Sequence, residues 1–200
     1  MSEGLISQRT RRDLLGLARL SLEAFFRGEP EPRLASDRAE LFGQQRALFV
    51  TLRRKGELRG CIGTLSPDGD LARTVPRFAR RAAFEDPRFP ALAAEELPEC
   101  EIEISVLTPP ERAHDPEEIE IGRDGLILEA SGHSGLLLPQ VAREWGFDRE
   151  RFLAEVARKA GLPADAWRHP DAKVWRFQAE VFSESDVEAQ PETTEEDRGR

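Results

Sequence analysis

A thiol stands between two glycines in the segment from Glu57 to Thr64, which reads Glu-Leu-Arg-Gly-Cys-Ile-Gly-Thr. Glycine lets a backbone turn or approach another group where a Cβ would clash. A cysteine flanked in this way can be exposed at a strand end, where the nearby Arg59 would favour its thiolate. Cys61 is therefore the candidate catalytic residue, with a redox thiol and a soft metal ligand as alternatives. The structural alternative is a small buried hydrophobic residue in a tight strand end.

The residues around Cys61 are candidates for binding an anionic substrate. Arg59 can hold a carboxylate or phosphate through two hydrogen bonds, and its alternative is a structural ion pair with Asp86 or Glu85. Gly60 and Gly63 can bring backbone N–H groups to an anion, although two glycines at this spacing also fit a simple turn. Thr64 ends the segment and is included in the predicted substrate site.

A second polar segment, Asp86-Pro87-Arg88-Phe89, follows a predicted helix. Pro87 forces Asp86 into an extended conformation, so the chain leaves the helix rigidly. Asp86 and Arg88 can line the same cleft as Cys61, with Arg88 holding negative charge and Asp86 orienting an arginine or accepting a proton. The alternative is an anchor that ends the helix and places Phe89 in the core.

The hydrophobic periodicity predicts helices mixed with mainly antiparallel strands, without a regular βαβ repeat, and hence an α+β fold. Pro76 lies inside one predicted helix, which is therefore expected to bend or to begin late with Thr74 as its N-cap. The predicted helices are 7–27, 71–84, 139–145 and 149–160, and the predicted strands are 47–54, 57–62, 100–107, 118–121, 126–130, 135–138 and 174–182. Segments 118–121 and 126–130 are expected to pair around Arg123-Asp124-Gly125.

Composition bounds the domain organisation and the compartment. The net charge of −9 is uneven, because the segment 184–200 holds seven acidic and two basic residues and few large apolar ones. We expect a single domain of two lobes over residues 1–183 and an acidic disordered tail over 184–200. Two cysteines without a CxxC pair, no signal peptide and no apolar run of membrane-spanning length predict a cytoplasmic protein.

Other site chemistries find little support in the sequence. The histidines His114, His133 and His169 lie far apart and show no ligand spacing, so no metal site is predicted. A row of arginines shares one face of the predicted helix 71–84 and could meet nucleic acid or an acidic partner, but a solvated helix face is the usual role of such a row. Its members are Arg73, Arg77, Arg80 and Arg81.

Four segments in this order and spacing carry a family resemblance. They are Phe49 to Leu52 leading into Leu58 to Thr64; Asp86 to Phe89; Ile104 to Leu107; and Gly135 to Val141 with Lys159 to Leu162. Over roughly residues 10 to 183 the chain resembles the AMMECR-type domain family, and its length is similar to the stand-alone prokaryotic members called AmmeMemoRadiSam system protein A. The chain departs from the family pattern at two positions. Family members often have a proline where this chain has Ala91, and a cysteine where it has Ala157. The missing cysteine weakens any mechanism that needs a dithiol there.

The resemblance implies an α+β fold with a larger part, a smaller lobe and a cleft lined by the Arg-Gly-Cys-Ile-Gly segment. It also implies association with a Memo-like protein and a radical SAM protein, but it leaves both the reaction and any cofactor unknown. Two functions follow as alternatives. One is an enzyme or enzyme component that binds an anionic small molecule in the cleft; the other is a non-catalytic adaptor for such a partner. Nucleic-acid binding through the arginine row is a weaker third, because the chain is acidic.

Overall fold

A computed structural model of the chain describes residues 6–32 and 45–189. These residues form two compact units. The first contains the described residues up to Val106 together with those from Glu180 onward, and the second spans Leu107–Ala179. Both units combine helices with antiparallel strands, which confirms the predicted α+β class.

The first unit begins with helix α1, Gln8–Phe26, and continues with strands β1, Leu48–Arg54, and β2, Glu57–Thr64. Helix α2, Leu71–Phe84, and strand β3, Cys100–Leu107, follow, and the strands lie in the order β2-β1-β3 with antiparallel pairings. Lys55 and Gly56 have positive φ values and close the predicted two-residue turn between β1 and β2. Helix α2 begins at Leu71 because the Asp70 carboxylate accepts from the Arg73 N–H. Of the two alternatives for this helix, the late start with Thr74 as N-cap is therefore wrong, and Pro76 lies inside the helix.

The core of the first unit lies on one side of this sheet. Leu48, Val50 and Leu52 alternate along β1 and are fully buried. They pack with Leu14, Leu17 and Leu22 of α1, with Val75 and Phe78 of α2, and with Ile102 and Ile104 of β3. The opposite side of β1 carries Phe49, Thr51 and Arg53, because successive strand side chains alternate between the two faces. Cys61 and Gly63 of β2 lie on this second face, because they pair with Thr51 and Phe49.

The second unit contains strands β4, Glu111–Ala113, β5, Asp124–Ala130, and β6, His133–Leu137, followed by helices α3, Pro139–Glu144, and α4, Arg149–Lys159. Strand β7, Lys173–Ser183, pairs with both β4 and β5, and β5 pairs with β6. Phe152, Leu153 and Val156 of α4 are buried in a separate core against Leu126 and Leu128 of β5.

Two sequence predictions fail in this part of the chain. Segment 118–121 is not a strand; β5 forms its hairpin with β6 through Ser131 and Gly132, which both have positive φ. The acidic tail does not begin at residue 184, because helix α5, Glu184–Glu188, follows β7 directly. Glu184 binds the Arg19 guanidinium and accepts from the Ile102 N–H, so these contacts hold α5 in the first unit. The rest of the predicted tail, residues 190–200, lies outside the described residues.

Candidate functional site

Strand β2 places the Cys61 thiol directly opposite Thr51 of β1. The Thr51 hydroxyl donates a hydrogen bond to Cys61 Sγ over 3.3 Å. Cys61 is half-buried, whereas Thr51 is only 6% exposed. On its other side Thr51 pairs with Glu103 of β3, so a thiol, a hydroxyl and a carboxylate lie in one row across three strands. The sulfur therefore lies on the face of the sheet that points away from the aliphatic core.

The two glycines of the segment have packing reasons to be glycine. A Cβ on Gly60 would lie 2.1 Å from the backbone oxygen of Ala82, so Gly60 lets β2 contact the backbone of α2. A Cβ on Gly63 would lie 2.3 Å from Cδ1 of Phe49, whose ring covers that position. These contacts give both glycines a structural role, and their predicted role in binding a substrate stays a prediction.

Asp86 and Arg88 bind the outer edge of β2 at Cys61. The Cys61 N–H donates to Asp86 Oδ2 over 2.9 Å, and Arg88 Nη2 donates to the Cys61 carbonyl over 3.3 Å. Arg88 also holds Asp86 through Nε and Nη2, at 2.9 Å and 2.7 Å. Each of the three residues thus contacts the other two. The predicted proximity of Cys61, Asp86 and Arg88 is present, and the hydrogen bonds that create it run through the Cys61 backbone.

The electrostatics give these residues distinct roles. The hydrogen bond from Arg88 holds the pKa of Asp86 well below its usual range; burial opposes this effect, and the Cys61 N–H adds to it. Such a carboxylate is a poor proton acceptor, so Asp86 orients Arg88 rather than acting as a base. The pKa of Arg88 is raised, first by the hydrogen bond to Asp86 and to a lesser degree by the adjacent Cys61 side chain. The Arg88 guanidinium thus contacts both Asp86 and the backbone carbonyl of Cys61.

Arg59 is directed elsewhere. The strand pairing shifts between Leu52 and Arg53, which leaves Arg59 as the extra residue of a β-bulge. Its guanidinium binds both carboxylate oxygens of Glu96, at 3.1 Å and 2.9 Å, and donates to the Pro90 carbonyl over 2.9 Å. The hydrogen bond from Arg59 lowers the pKa of Glu96 to about 2. The expected ion pair of Arg59 with Asp86 or Glu85 is therefore wrong, because the carboxylate partner of Arg59 is Glu96.

Thr64 is engaged in a local turn. Its hydroxyl donates to the Ser66 carbonyl over 2.6 Å and accepts from the Ser66 N–H over 3.2 Å. These contacts tie the end of β2 to the chain that leads to α2. The predicted role of Thr64 in substrate binding stays a prediction.

Thr51 and Glu96 are the two residues that the sequence reasoning missed. Thr51 stands between the apolar Val50 and Leu52 in a strand, and a polar residue at that position signals a second face with its own chemistry. Its contact with Cys61 depends on the strand register, which the sequence alone does not give. Glu96 follows two alanines and Glu95 in a short 3₁₀ segment, and nothing in its spacing marks Arg59 as its partner.

The arginine row of α2 is largely occupied by partners. Arg73 pairs with Asp70, Arg77 with Asp68, and Arg81 with Glu85. Arg80 turns toward α1 instead and donates to both oxygens of Ser21, so it leaves the exposed row. The row does not present four free cations, which weakens its case as a phosphate-binding surface.

Further chemistry is limited in the part of the chain that the structure describes. No group of three or more histidine, cysteine or acidic residues in residues 6–32 and 45–189 could hold a metal ion. Cys100, the other thiol, is buried, and burial raises its pKa. No helix among these residues has the length and apolar character needed to cross a bilayer.

Comparison with known proteins finds relatives of this chain in sequence and in structure. The family model AMMECR1 matches residues 15–182. A protein of Methanothermobacter thermautotrophicus is 47% identical over 179 residues, which cover 86% of this chain and 93% of the relative. Protein TK0174 of Thermococcus kodakarensis is 45% identical over 86% of this chain and 88% of its own length. The crystal structure of the uncharacterised protein PH0010 from Pyrococcus horikoshii matches with a TM-score of 0.82 and 41% identity, and covers 92% of this chain and 95% of that one.

Proposed function

Because the chain belongs to the AMMECR1 family, whose matched relatives carry no named activity, we propose from its geometry that it is an enzyme or the thiol-bearing component of one. Cys61 acts as the nucleophile toward an electrophilic small molecule that carries a negative charge. Arg88 orients that charge. The observation that carries the proposal is the position of Cys61, whose Sγ receives the Thr51 hydroxyl and whose backbone carbonyl receives the Arg88 guanidinium.

The surroundings of the sulfur support a nucleophilic role. Cysteine reacts as the thiolate, and positive charge or hydrogen-bond donors beside a partly exposed thiol favour that form. At Cys61, Arg88 brings a positive charge to the backbone carbonyl and the Thr51 hydroxyl contacts the sulfur. Cys100 offers the contrast, because its buried thiol has a raised pKa and little access to solvent. The two thiols of one chain thus provide an internal comparison of reactive and structural cysteines.

The anionic character of the substrate follows from how Arg88 is held. Its side chain is 56% exposed, although Asp86, which it binds, is nearly fully buried. Asp86 fixes the guanidinium through Nε and Nη2 and leaves the remaining edge toward solvent. A guanidinium fixed in this way can bind an oxyanion with little loss of side-chain freedom. Arg59, by contrast, is committed to Glu96 and does not enter the proposed site.

Site-resolved alkylation tests the proposal. The native protein is treated separately with iodoacetate and with the neutral iodoacetamide, and modification of Cys61 and Cys100 is followed by mass spectrometry. In each reaction the sulfur forms a bond to carbon and iodide leaves. We expect Cys61 to react faster than Cys100, and its preference for iodoacetate to exceed that of an unfolded control about tenfold, which corresponds to roughly 1.4 kcal/mol.

Two variants provide the controls. Arg88→Gln should abolish the preference for iodoacetate, because it removes the guanidinium at Cys61. Arg77→Gln, which changes an arginine that binds Asp68, should leave the preference unchanged. Cys61 reacting no faster than Cys100, or an unchanged preference in a folded Arg88→Gln variant, would contradict the proposal. Association with Memo-like or radical SAM proteins is a separate prediction from the family; partner binding that survives Cys61→Ser without any thiol-dependent activity would favour the adaptor.

A further inference from the structure

The loop 86–93 follows helix α2 and is bound to strand β2 at two points. At the first point, Asp86 and Arg88 bind the backbone N–H and carbonyl of Cys61. At the second point, the Arg59 guanidinium of β2 donates to two backbone carbonyls of the loop. These are the carbonyl of Pro90, 2.9 Å from Nη1, and that of Ala91, 3.3 Å from Nη2. The Arg88 guanidinium thus belongs to a loop whose second attachment to β2 is Arg59.

Arg59 is itself held in a fixed direction. Its Nε and Nη2 bind the two carboxylate oxygens of Glu96 at 3.1 Å and 2.9 Å, and Glu96 also accepts from the Ala93 N–H over 2.9 Å. The side chains of Arg59 and Glu96 are only 11% and 18% exposed, whereas that of Arg88 is 56% exposed. A bidentate pair with little access to solvent keeps its geometry and is weakly screened by salt. The Arg59 attachment is therefore a fixed point from which the loop reaches Cys61.

The β-bulge in β2 explains why Arg59 reaches the loop. In a regular strand, Arg59 and Cys61 would share a face, because side chains two positions apart lie on the same side. The register shift between Leu52 and Arg53 interrupts this alternation, and the Arg59 side chain binds the loop carbonyls instead. Bulges next to active sites often redirect a side chain in this way. The bulge thus lets one short segment both present the thiol and hold the loop.

We propose that Arg59 is a positioning residue for the Cys61 site and acts on it by keeping Arg88 in place. This inference rests on the proposed nucleophilic role of Cys61 and adds a second arginine to it. Without Arg59 the Pro90 and Ala91 carbonyls lose its donors, the loop separates from β2 at that point, and Arg88 is less often at Cys61. The expected consequence is selective, because reagents with a negative charge lose rate when Arg59 is replaced and neutral reagents do not.

The charge preference of Cys61 alkylation tests this role in the full chain. Arg59→Gln should lower the preference for iodoacetate over iodoacetamide from about tenfold to about threefold or less, with little change in the rate of the neutral reagent. Arg54→Gln is the matched control. Arg54 donates to Glu96 over 2.8 Å and, among the described residues, binds no carbonyl of the loop, so the preference should not change. A fall of the same size in both variants would contradict the proposal.

A double variant separates positioning from a direct effect of charge. In Arg88→Gln the preference is already lost, so adding Arg59→Gln should change it by less than about a factor of two. An additive fall would show that the Arg59 charge acts on the reagent directly, and would overturn the proposal. Arg59→Lys keeps the charge but cannot bind Glu96 and both carbonyls at once, so it should lower the preference as well. This variant serves as the test if Arg59→Gln does not fold.

Amide hydrogen exchange provides a measurement that does not depend on the chemistry of the thiol. The Cys61 N–H is bound by Asp86, so Arg59→Gln should raise its exchange rate at least about tenfold more than that of Val50 in the core. If the unchanged protein shows no preference for iodoacetate but this increase is seen, the proposed function fails and the positioning role of Arg59 stands. An equal change of rate at Cys61 and Val50 would overturn the inference.

Discussion

The two units of this protein each contain a buried aspartate held by an arginine close to it in sequence. Asp86 is 5% exposed and is bound by Arg88, two residues later. Asp124 is 1% exposed and is bound by Arg123, the preceding residue, through Nε and Nη2. In both cases a backbone N–H from an earlier residue also binds the carboxylate, and Asp86 accepts in addition from the Arg88 N–H. The chemistry of the two aspartates is therefore nearly the same.

The two aspartates differ in where the backbone donor comes from. Asp124 receives the N–H of Glu120, only four residues away, and so closes a local turn. Asp86 receives the N–H of Cys61, 25 residues away, and so connects the exit of α2 to the edge of β2. The same hydrogen bonds stabilise a turn in one unit and place a guanidinium at Cys61 in the other. The two aspartate–arginine pairs are alike. The candidate site is distinguished by the distant segment that supplies the backbone N–H to Asp86.

A second parallel concerns glycines at which a strand contacts a helix backbone. Gly60 of β2 faces the Ala82 oxygen of α2, and Gly135 of β6 faces the Ala160 nitrogen and the Val156 oxygen at α4. A Cβ at either position would lie within 2.7 Å of these backbone atoms. Each unit thus needs one glycine where its sheet and helix meet, and only Gly60 is next to a candidate catalytic residue.

The largest expected effect comes from these glycines. Gly60→Ala and Gly135→Ala should each lower the free energy of unfolding by about 3 kcal/mol or more, because backbone atoms cannot move aside as a flexible side chain can. Urea denaturation measures the change. Gly16→Ala, in α1 with nothing within 4 Å of its Cβ, should instead stabilise the protein by roughly 0.5–1 kcal/mol. The rate of Cys61 alkylation should change in Gly60→Ala but not in Gly135→Ala. An equal change of rate in both variants would contradict the statement that only Gly60 lies next to the candidate catalytic residue.

The aspartates should give the next largest effect. Asp86→Asn and Asp124→Asn should each lower the free energy of unfolding by about 2 kcal/mol, the usual value of hydrogen bonds to a charged group. Only Asp86→Asn should also reduce the preference of Cys61 for iodoacetate, because it releases Arg88. Denaturation and site-resolved alkylation of both variants check this pair of results. A loss of preference in Asp124→Asn would show that general destabilisation, not the position of Arg88, controls the thiol.

Acid stability provides a test of the Arg59 contact. The pKa of Glu96 is lowered to about 2 from an ordinary value of 4.5. A lowered folded-state pKa stabilises the protein above the ordinary value, and this contribution is lost as the pH falls from 4.5 toward 2. The stability difference between the unchanged protein and Glu96→Gln should therefore be full near neutral pH and shrink over that window in urea titrations. A constant difference across the window would exclude ionisation of Glu96 as its source.

The smallest expected effect concerns the hydroxyl at the sulfur. Thr51→Val keeps the shape of the side chain and removes the donor, so stability should fall by roughly 1 kcal/mol or less while alkylation of Cys61 slows severalfold. Thr108→Val in the second unit removes a hydroxyl that accepts from the Gln178 N–H. It should reduce stability to a similar extent and leave the alkylation rate unchanged. The ratio of the two rates isolates the hydrogen bond from Thr51.

Much of the fold was predictable because its signals are local. The helix Leu71–Phe84 and the strand Cys100–Leu107 have the predicted bounds, since their apolar residues follow one period without interruption. The hairpin of β5 was misassigned because Asp124-Gly125 resembles a turn. Asp124 is instead buried in the strand by its contact with Arg123, and Ser131-Gly132 forms the turn. Asp124-Gly125 and Ser131-Gly132 both have the composition of a turn. Tertiary burial decides which of them forms one, and a local sequence pattern does not contain that information.

The site was predictable only in part, for a related reason. Arg88 and Asp86 do lie at Cys61, as expected from the rigid exit after α2. Arg59 does not accompany them, because the bulge in β2 redirects it, and a bulge appears only once the strand pairing is known. Thr51 reaches the sulfur through the same pairing. Neighbours in sequence were thus an unreliable guide to neighbours in space.

The pair formed by Asp86 and Arg88 also has a consequence for the exposed edge of β2. Strand edges with free N–H and C=O groups are templates on which further chains can add, and such addition leads to fibrils. At Cys61 both groups are already occupied by the two charged side chains. The contact that positions a guanidinium at Cys61 therefore also interrupts the row of free backbone groups along this edge of β2, and leaves fewer of them for another strand to pair with.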